Sequence, residues 1–446
     1  MTNGSALCPH TLTGDRASGK GLYSIRTPRS TDWPSENSMP EPGVRPLNII
    51  CLATYFKGAD FIRECKTQGC RVFLITKEKM LNEDWPRESL EDLIALPNDA
   101  GPPLFIDLVA FLSRKAKADR IVALEEFDVV TAALIREHFG MPGLSSSKAR
   151  VFRDKFAMAV QSKRAGIDAP DFVPLINPDE VREFMERIPS PWLIKPRSDV
   201  SAIGIRKVED PAEVWSVIDE LNGRENLNER ASYYLLARFV SGDVFHVDSI
   251  VNHGRVVFTG VNHYGRPPMQ VAHHGGAYIS HTVARDSADE KQLHEINRKL
   301  LQALGLERGA THAEFIKSTD DGKFYFIEVA SRVGGAYIAD VLEAASGINL
   351  WREWAKIEIS EGEEGKTISS LRDEYAGIIL SLAKQEYPDT RSYIDSEIVY
   401  RIKKRHHVGM IVRSAQLARV TALLNEYAQR FADDFVAIVP PPERPE

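Results

Sequence analysis

The stretch AEFIKSTDDGKFYFIEVASRVGG, residues 313–335, decides how the rest of the chain is read. Two runs rich in strand-forming residues flank Asp320-Asp321-Gly322, a turn signal with Gly322 in the left-handed position that such hairpin loops prefer. With these residues as the loop, Thr319 faces Lys323, Ser318 faces Phe324, and Glu314 falls opposite Glu328. A tighter Asp321-Gly322 loop would instead set Glu314 against Val329. Like charges directly across a strand pair repel. These two sit among Phe315, Ile316, Phe324, Phe326, Ile327 and Val329, a poor place for a lone charge. The plain reading is a solvated surface pair. The sharper one is a divalent cation between the carboxylates. Mg²⁺ takes one or two carboxylates plus substrate phosphates, with Mn²⁺ as the alternative ion. The hairpin therefore asks for a nucleotide site elsewhere in the chain.

The chain has 446 residues, more than one ordinary core, so two to four domains are expected. Apolar content is ordinary and the net charge is −7, which points to no nucleic-acid partner and no anionic membrane. No apolar run reaches the length of a membrane span. Cys8, Cys51, Cys65 and Cys70 have no metal-type spacing, so a reduced, cytoplasmic protein is expected. Residues 1–45 are polar, rich in Ser, Thr, Pro and Gly, and read as a disordered tail. Within it GDRASGKG, residues 14–21, nearly matches a phosphate-binding loop. Its last position is Gly21, which has no hydroxyl for a metal, and neither strand nor helix frames it, so the match is rejected.

From about Leu47 buried-strand patterns alternate with helical ones: LNIICLAT, CRVFLIT and DRIVALEE against ADFIRECKTQG, PLFIDLVAFLSRKAKA and FDVVTAALIREHFG. Such alternation predicts a parallel sheet with helical crossovers over 46–146. The first strand–helix loop, TYFKGADF, lacks the glycines of a dinucleotide site. One helix is expected from the serines 145–147 to Gly166. Two strands around a small-residue loop follow at 191–208, then a meander with turns at Ser241-Gly242 and His253-Gly254, and a His-rich loop, MQVAHHGGAYISHTV. Residues 361–446 read as a separate small α+β unit with strands EIVYRIKK and HVGMIVRS before a helix.

A triphosphate needs cations and backbone amides. Lys155 lies on the helix after the serines, and Lys195 leaves the apolar strand WLIK just before the loop RSDVSAIGI. Each feature alone is weak; surface lysines and Ser/Gly loops are common. Their order is specific. The helix with Lys155, LIKPRSDVSAIGI, FVSGDVFHVD, AEFI and FIEVASRVGG together resemble the ATP-grasp superfamily, in particular its carboxylate–amine ligases of the L-amino-acid-ligase type. The resemblance covers residues 47–360. It implies a Rossmann-like α/β domain, then an ATP-grasp domain at 147–360 with subdomains of about 150–238 and 239–360, and the C-terminal α+β unit. It implies that Lys155 and Lys195 contact ATP phosphates under a loop containing Ser198, Ser201 and Gly204. It also implies backbone contacts to adenine from Leu236, Ala237 and Phe239, and Mg²⁺ on Glu314 and Glu328. Arg332 would stabilise an acyl phosphate beside Lys195, and Gly334-Gly335 would let amides approach the substrate carboxylate. The pattern departs from the family at Ala237, Arg238 and Val244, where acids are usual, so Asp243 is the substitute expected to read ribose, and at Ala330, where a further metal ligand is common.

Histidines crowd the same half: 246, 263, 273, 274, 281 and 312. A zinc cluster is disfavoured because no helical His pair carries an acidic partner. His274 and His312 read instead as substrate-facing or supporting groups, with Arg197 and Arg266 as candidate anion contacts. The resemblance thus implies a ligase that activates a carboxylate, expected to be that of an amino acid, and joins it to an amine. A biotin-type carboxylase and a non-catalytic nucleotide-binding regulator are the alternatives. The expected partners are small-molecule acid and amine substrates; a homodimer is allowed but not required.

Overall fold

The first compact unit ends at Glu125 and the second begins at Glu126, earlier than the boundary expected at 146. The structure, a computed structural model, describes residues 45–198, 203–360, 367–369 and 371–436, without the side chains of 272–274. The expected tail before Arg45, with Cys8 and the 14–21 decoy, lies outside the described residues. Strands β1 (Asn48–Leu52), β2 (Arg71–Lys77), β3 (Asp92–Leu96) and β4 (Arg120–Ala123) form a parallel sheet in the order β3-β2-β1-β4. All of β1 is buried, as a continuous apolar run requires when both faces of a parallel strand are covered. Helices α1 (Ala59–Thr67) and α2 (Pro102–Ser113) are the anticipated crossovers. Strand β3 was not anticipated, because Asp92–Leu96 is short and mostly half-buried. Cys51, Cys65 and Cys70 are buried thiols.

In the second unit α3 (Val129–His138) leads to a correction. The single helix expected over 145–166 is two, α4 (Ser146–Val151) and α5 (Lys155–Arg164). The break comes at Asp154, whose carboxylate accepts from the Phe156 N–H and restarts the helix as its N-cap. Lys155 thereby becomes the first residue of α5 instead of a mid-helix side chain. A small antiparallel sheet follows, from β5 (Phe172–Pro174), β6 (Trp192–Pro196), β7 (Arg206–Val208) and β8 (Tyr234–Arg238), in the order β5-β8-β6-β7. It packs on α6 (Pro178–Arg187) and α7 (Pro211–Asn222) through Val181, Phe184, Trp192, Ile194, Val214 and Leu236.

The large sheet takes β9 (Gly242–Asn252), β10 (Arg255–Tyr264), β11 (Tyr278–Thr282), β12 (Arg308–Ser318), β13 (Phe324–Ala330), β14 (Tyr375–Leu382), β15 (Ile398–Arg401) and β16 (His407–Ser414) in the order β13-β12-β9-β10-β11-β14-β16-β15. The expected His-rich loop contains a short helix, α8 (Pro268–His274), before β11. Helix α9 (Ala288–Leu304) lays Leu293, Leu300 and Leu301 on Val247, Val261 and Phe315. The glycine-containing turn after β13 leads into α10 (Ile338–Ser346) and α11 (Leu350–Ile359).

The C-terminal residues are not a separate sheet, which corrects the expectation for 361–446. Strand β14, YAGIILSL, pairs with β11 through Tyr278↔Leu380 and Ile279↔Ile379, so β14, β16 and β15 prolong the large sheet. Its run of buried residues at 376–379 needs cover on both faces. Val341 and Ala345 of α10 supply one face; Leu423 and Leu424 of the last helix, α12 (Leu417–Asp434), supply the other.

The hairpin of β12 and β13 keeps the pairing that matters and changes the rest. Glu314 pairs with Glu328. The loop, however, runs Thr319–Gly322, closed by the Ser318 N–H on the Lys323 carbonyl at 2.9 Å, and Lys317 rather than Ser318 faces Phe324. A bulge between Phe326 and Glu328 leaves Ile327 unpaired and restores the expected register at the acids. Gly322 has φ +71°, the left-handed conformation the turn needs.

Candidate active site

A cavity of about 500 Å³ opens within the second unit, between the last strands of the small sheet and the β12–β13 hairpin. Strand alternation points His312, Glu314 and Ile316 into it from β12. The bulge lets two consecutive residues of β13, Ile327 and Glu328, face the same way. Lys155 and Lys195 line the same cavity. Lys155 is buried, with Nζ 2.7 Å from the Glu328 carboxylate. Burial, then the neighbouring Lys155, push the Lys195 ammonium down to about 8, against the pull of Glu328. The turn that breaks α4 from α5 fixes this geometry. The Lys155 N–H donates to the Arg197 carbonyl at 2.7 Å, and the Arg197 guanidinium binds the Asp154 carboxylate at 2.5 Å and 3.0 Å. Arg197 is therefore a brace at the end of β6, not the substrate contact that had been a candidate.

Arg332 also lines the cavity and is held from behind. Its Nε and Nη2 lie 3.1 Å and 2.9 Å from one oxygen of Glu126, whose other oxygen takes Arg153 Nη1 at 2.5 Å. Arg153 Nη2 in turn donates to the Ser198 carbonyl at 2.7 Å. Burial alone would raise the Glu126 carboxyl, but Arg332, Arg153 and Lys155 outweigh it and hold it at about 2. One carboxylate thus ties Arg332, through Arg153, to the backbone at Ser198 just past β6.

Beneath Glu314 lies a chain of buried polar groups. Asp248 accepts from His246 Nδ1 at 2.6 Å and from His312 Nδ1 at 2.9 Å. His246 Nε2 meets Ser280 Oγ at 2.7 Å, and His312 Nε2 lies 3.4 Å from Glu314 Oε1, which also accepts from the Tyr264 hydroxyl at 2.8 Å. Burial would raise Asp248, yet its two histidines hold it well below the usual carboxylate range. Burial lowers His246, against the pull of Asp248. Burial would lower His312 too, but Asp248 and Glu314 raise it to about 9. Glu314 is held down, against burial, by His312 and Tyr264. His246, Asp248 and His312 also lie close enough together to ligate one ion.

The other anticipated residues fall in different places. Phe239, Val240, Ser241 and Gly242 line the cavity, whereas Leu236 and Ala237 lie inside β8, with Leu236 in the small-sheet core; the strip reaching the cavity starts later than expected. Gly242 and Val244 face the cavity, so alternation turns Asp243 away, its side chain 73% exposed; the expected ribose contact is corrected. Ser198 is exposed at the end of β6, and Gly204 lies outside the cavity between Ile203 and Ile205, which line it. Ser201 and the His274 side chain lie outside the described residues. Gly335 lines the cavity. At Gly334 a Cβ would come 2.8 Å from Asp248 Oδ1 and 3.0 Å from His312 Nδ1, so this glycine admits the buried histidine–aspartate chain. Ala330 is buried opposite His312.

Glu126, Arg153, Tyr264, Asp248 and His246 were not singled out as site residues from sequence. The alternation HVD on a strand, with His312 two residues before Glu314, was the available signal for the last two. Two oxygen-donor carboxylates facing a cavity that lysines also line fit a magnesium–phosphate group, since Glu314 and Glu328 can each turn an oxygen inward.

Comparison with known proteins places the fold. Residues 188–340 match the family described as ATP-grasp domain. The L-arginine-specific L-amino acid ligase of Bacillus subtilis is 23% identical over 242 residues, 54% of this chain and 58% of that one. The alanine–anticapsin ligase of Bacillus subtilis is 23% identical over 250 residues, 52% of each chain. A D-alanine–D-alanine ligase of Neisseria gonorrhoeae is 23% identical over 207 residues, 44% of this chain and 64% of its own. The matches thus span from about half to just under two thirds of these relatives' lengths. Among solved structures, the L-amino acid ligase from Bacillus licheniformis superposes with TM-score 0.69 at 17% identity, covering 88% of this chain and 99% of that one. The biotin carboxylase domain of the Hydrogenobacter thermophilus 2-oxoglutarate carboxylase gives 0.67 at 14% identity, covering 88% and 90%. Among the described residues no helix is long and apolar enough to cross a membrane.

Proposed function

From the premise that the chain carries an ATP-grasp domain, we propose that it is an ATP-dependent carboxylate–amine ligase acting on an amino acid. The observation that carries this reading is the pair Glu314 and Glu328, which line one cavity together with Lys155, Lys195 and Arg332. Lys155 and Lys195 grip the phosphates, and the apolar strip from Phe239 to Val244 holds the base. Mg²⁺ on Glu314 and Glu328 would supply positive charge against the γ-phosphoryl group as charge spreads over its oxygens. Lys155 exchanges its partner Glu328 for phosphate oxygens, which leaves Glu328 available as a ligand.

A carboxylate oxygen of the acid attacks the γ-phosphorus and the bond to the β-phosphate oxygen breaks, giving an acyl phosphate and ADP. The amine then forms the C–N bond, the C–O bond to phosphate breaks, and the amine proton leaves to solvent. Arg332, fixed by Glu126, faces the charge that develops on the acyl phosphate oxygens, where preorganised cations are most effective. The amino-acid and dipeptide ligases among the relatives support this reaction class for the chain. The test is a matrix of amino acids and amines assayed for released phosphate, with mass spectrometry of products. An amide product formed with one ADP per turnover is expected. ADP release that needs bicarbonate and no amine would sink the reading.

A further inference from the structure

Burying an aspartate and two histidines under one wall of a cavity is costly unless every polar atom is satisfied. Here it is. Both Asp248 oxygens accept a ring N–H, and all four ring nitrogens of His246 and His312 have a partner. The chain runs Ser280, His246, Asp248, His312 and ends on Glu314, with no branch that leaves toward solvent among these contacts. It joins β12 and β9, paired through His312↔Asp248 and Glu314↔His246, and reaches over β10 to Ser280 on β11. The turn after β13 is shaped to it, since only a glycine at 334 clears Asp248 and His312.

We infer that His312, braced through Asp248 and His246 to Ser280, is the positioning residue that aims Glu314 at the nucleotide-bound metal. The inference rests on the reading of Glu314 as a metal ligand. A free glutamate beside a cavity samples several rotamers. With one oxygen held by His312 and the Tyr264 hydroxyl, Glu314 presents its other oxygen in one direction. The partner across the hairpin is held differently: among the described residues Glu328 pairs with Lys155, a residue of the same cavity. Outer partners that orient metal ligands are typically worth about 10–100-fold in metal affinity.

The experiment uses the full chain with Mn²⁺ and ADP, reading free Mn²⁺ by electron paramagnetic resonance, and ADP binding without metal by calorimetry. Glu314→Gln is the control for the metal reading itself; unchanged Mn²⁺ affinity there overturns that reading, whatever the relay does. Asp248→Asn is expected to weaken Mn²⁺ binding by about 10–100-fold, with metal-free ADP affinity unchanged. A folded Asp248→Asn protein with wild-type Mn²⁺ affinity overturns the relay. If that variant does not fold, the wild-type crystal structure with Mn²⁺ and ADP decides. Glu314 keeping one oxygen on His312 while the other meets the metal supports the inference, and a Glu314 rotated off His312 overturns it. Stoichiometric zinc in the purified protein, lost in Asp248→Asn, also overturns it, because the three residues would then be a metal site of their own.

Discussion

The two walls of the cavity are built on opposite plans. The large-sheet wall, carried by β9, β11, β12 and β13, stacks polar groups in depth: Glu314 and Glu328 at the surface, His312 behind, then Asp248, His246 and Ser280. The small-sheet wall carries Lys195 on a strip of Leu193, Ile203, Ile205, Phe239 and Val240. Among the described residues no carboxylate lies within ion-pair distance of Lys195. One wall is fixed by hydrogen bonds before any ligand arrives. The other keeps a cation poorly solvated, which makes it ready for phosphate. Precise aim and strong attraction are thus supplied from different sides, and substitutions on the two sides should fail differently.

The largest effect should come from the first wall. Glu328→Gln is expected to lower turnover by about 10³-fold, read as ADP release, with the fold retained by circular dichroism; near-normal activity would remove it as a ligand. On the second wall Lys195→Met should cost about 10²-fold in kcat/KM for ATP, without changing Mn²⁺ binding to the ADP complex. The same lysine sets a pH limb. Lys195 is protonated below about 8, so its grip on phosphates is lost as pH rises through that value, and kcat/KM for ATP should fall above it. Lys195→Arg should move that limb to higher pH.

A smaller effect is expected at Glu126, which braces the site without lining the cavity. Glu126→Gln should raise KM for the acid about tenfold by loosening Arg332. Its folded pKa of about 2 lies below the unfolded 4.5, so its stabilisation is complete above 4.5 and is lost as pH falls toward 2. The loss amounts to about 3 kcal/mol, and urea unfolding between pH 5 and 3 should be less steep in the variant. Next, Phe239→Ala should raise KM for ATP about tenfold and leave kcat unchanged. Last, Asp243→Asn, turned out of the cavity, should change KM for ATP by less than about twofold; a large change would show that β9 does not alternate as described.

The charged wall was far more legible in sequence than the apolar one. Glu314 and Glu328 are separated by one hairpin, so local turn chemistry and alternation were enough to oppose them, even though the loop is longer than expected and a bulge makes up the difference. The strip that reaches the cavity starts a few residues later than expected because an apolar run such as YYLLARFV does not say where it leaves one sheet and enters the next. The break before Lys155 was missed because FRDK reads as continuous helix until the Asp154 carboxylate is seen capping a new one. Glu126 and Asp248 were not legible as site residues: their roles come from Arg332, more than two hundred positions away, and from His312, brought alongside only by sheet pairing. Strand β14 was missed for a similar reason, since YAGIILSL makes sense only beside β11.

The central claim is that Glu314 and Glu328 hold one metal against a triphosphate gripped by Lys155 and Lys195. The most direct test is a crystal structure of the protein with Mn²⁺ and a non-hydrolysable ATP analogue, with anomalous data for manganese. The account predicts a peak between the two carboxylates, coordinated by β- and γ-phosphate oxygens, with both lysines on the phosphates. A peak at His246, Asp248 and His312 instead, or phosphates bound away from residues 314 and 328, would contradict it.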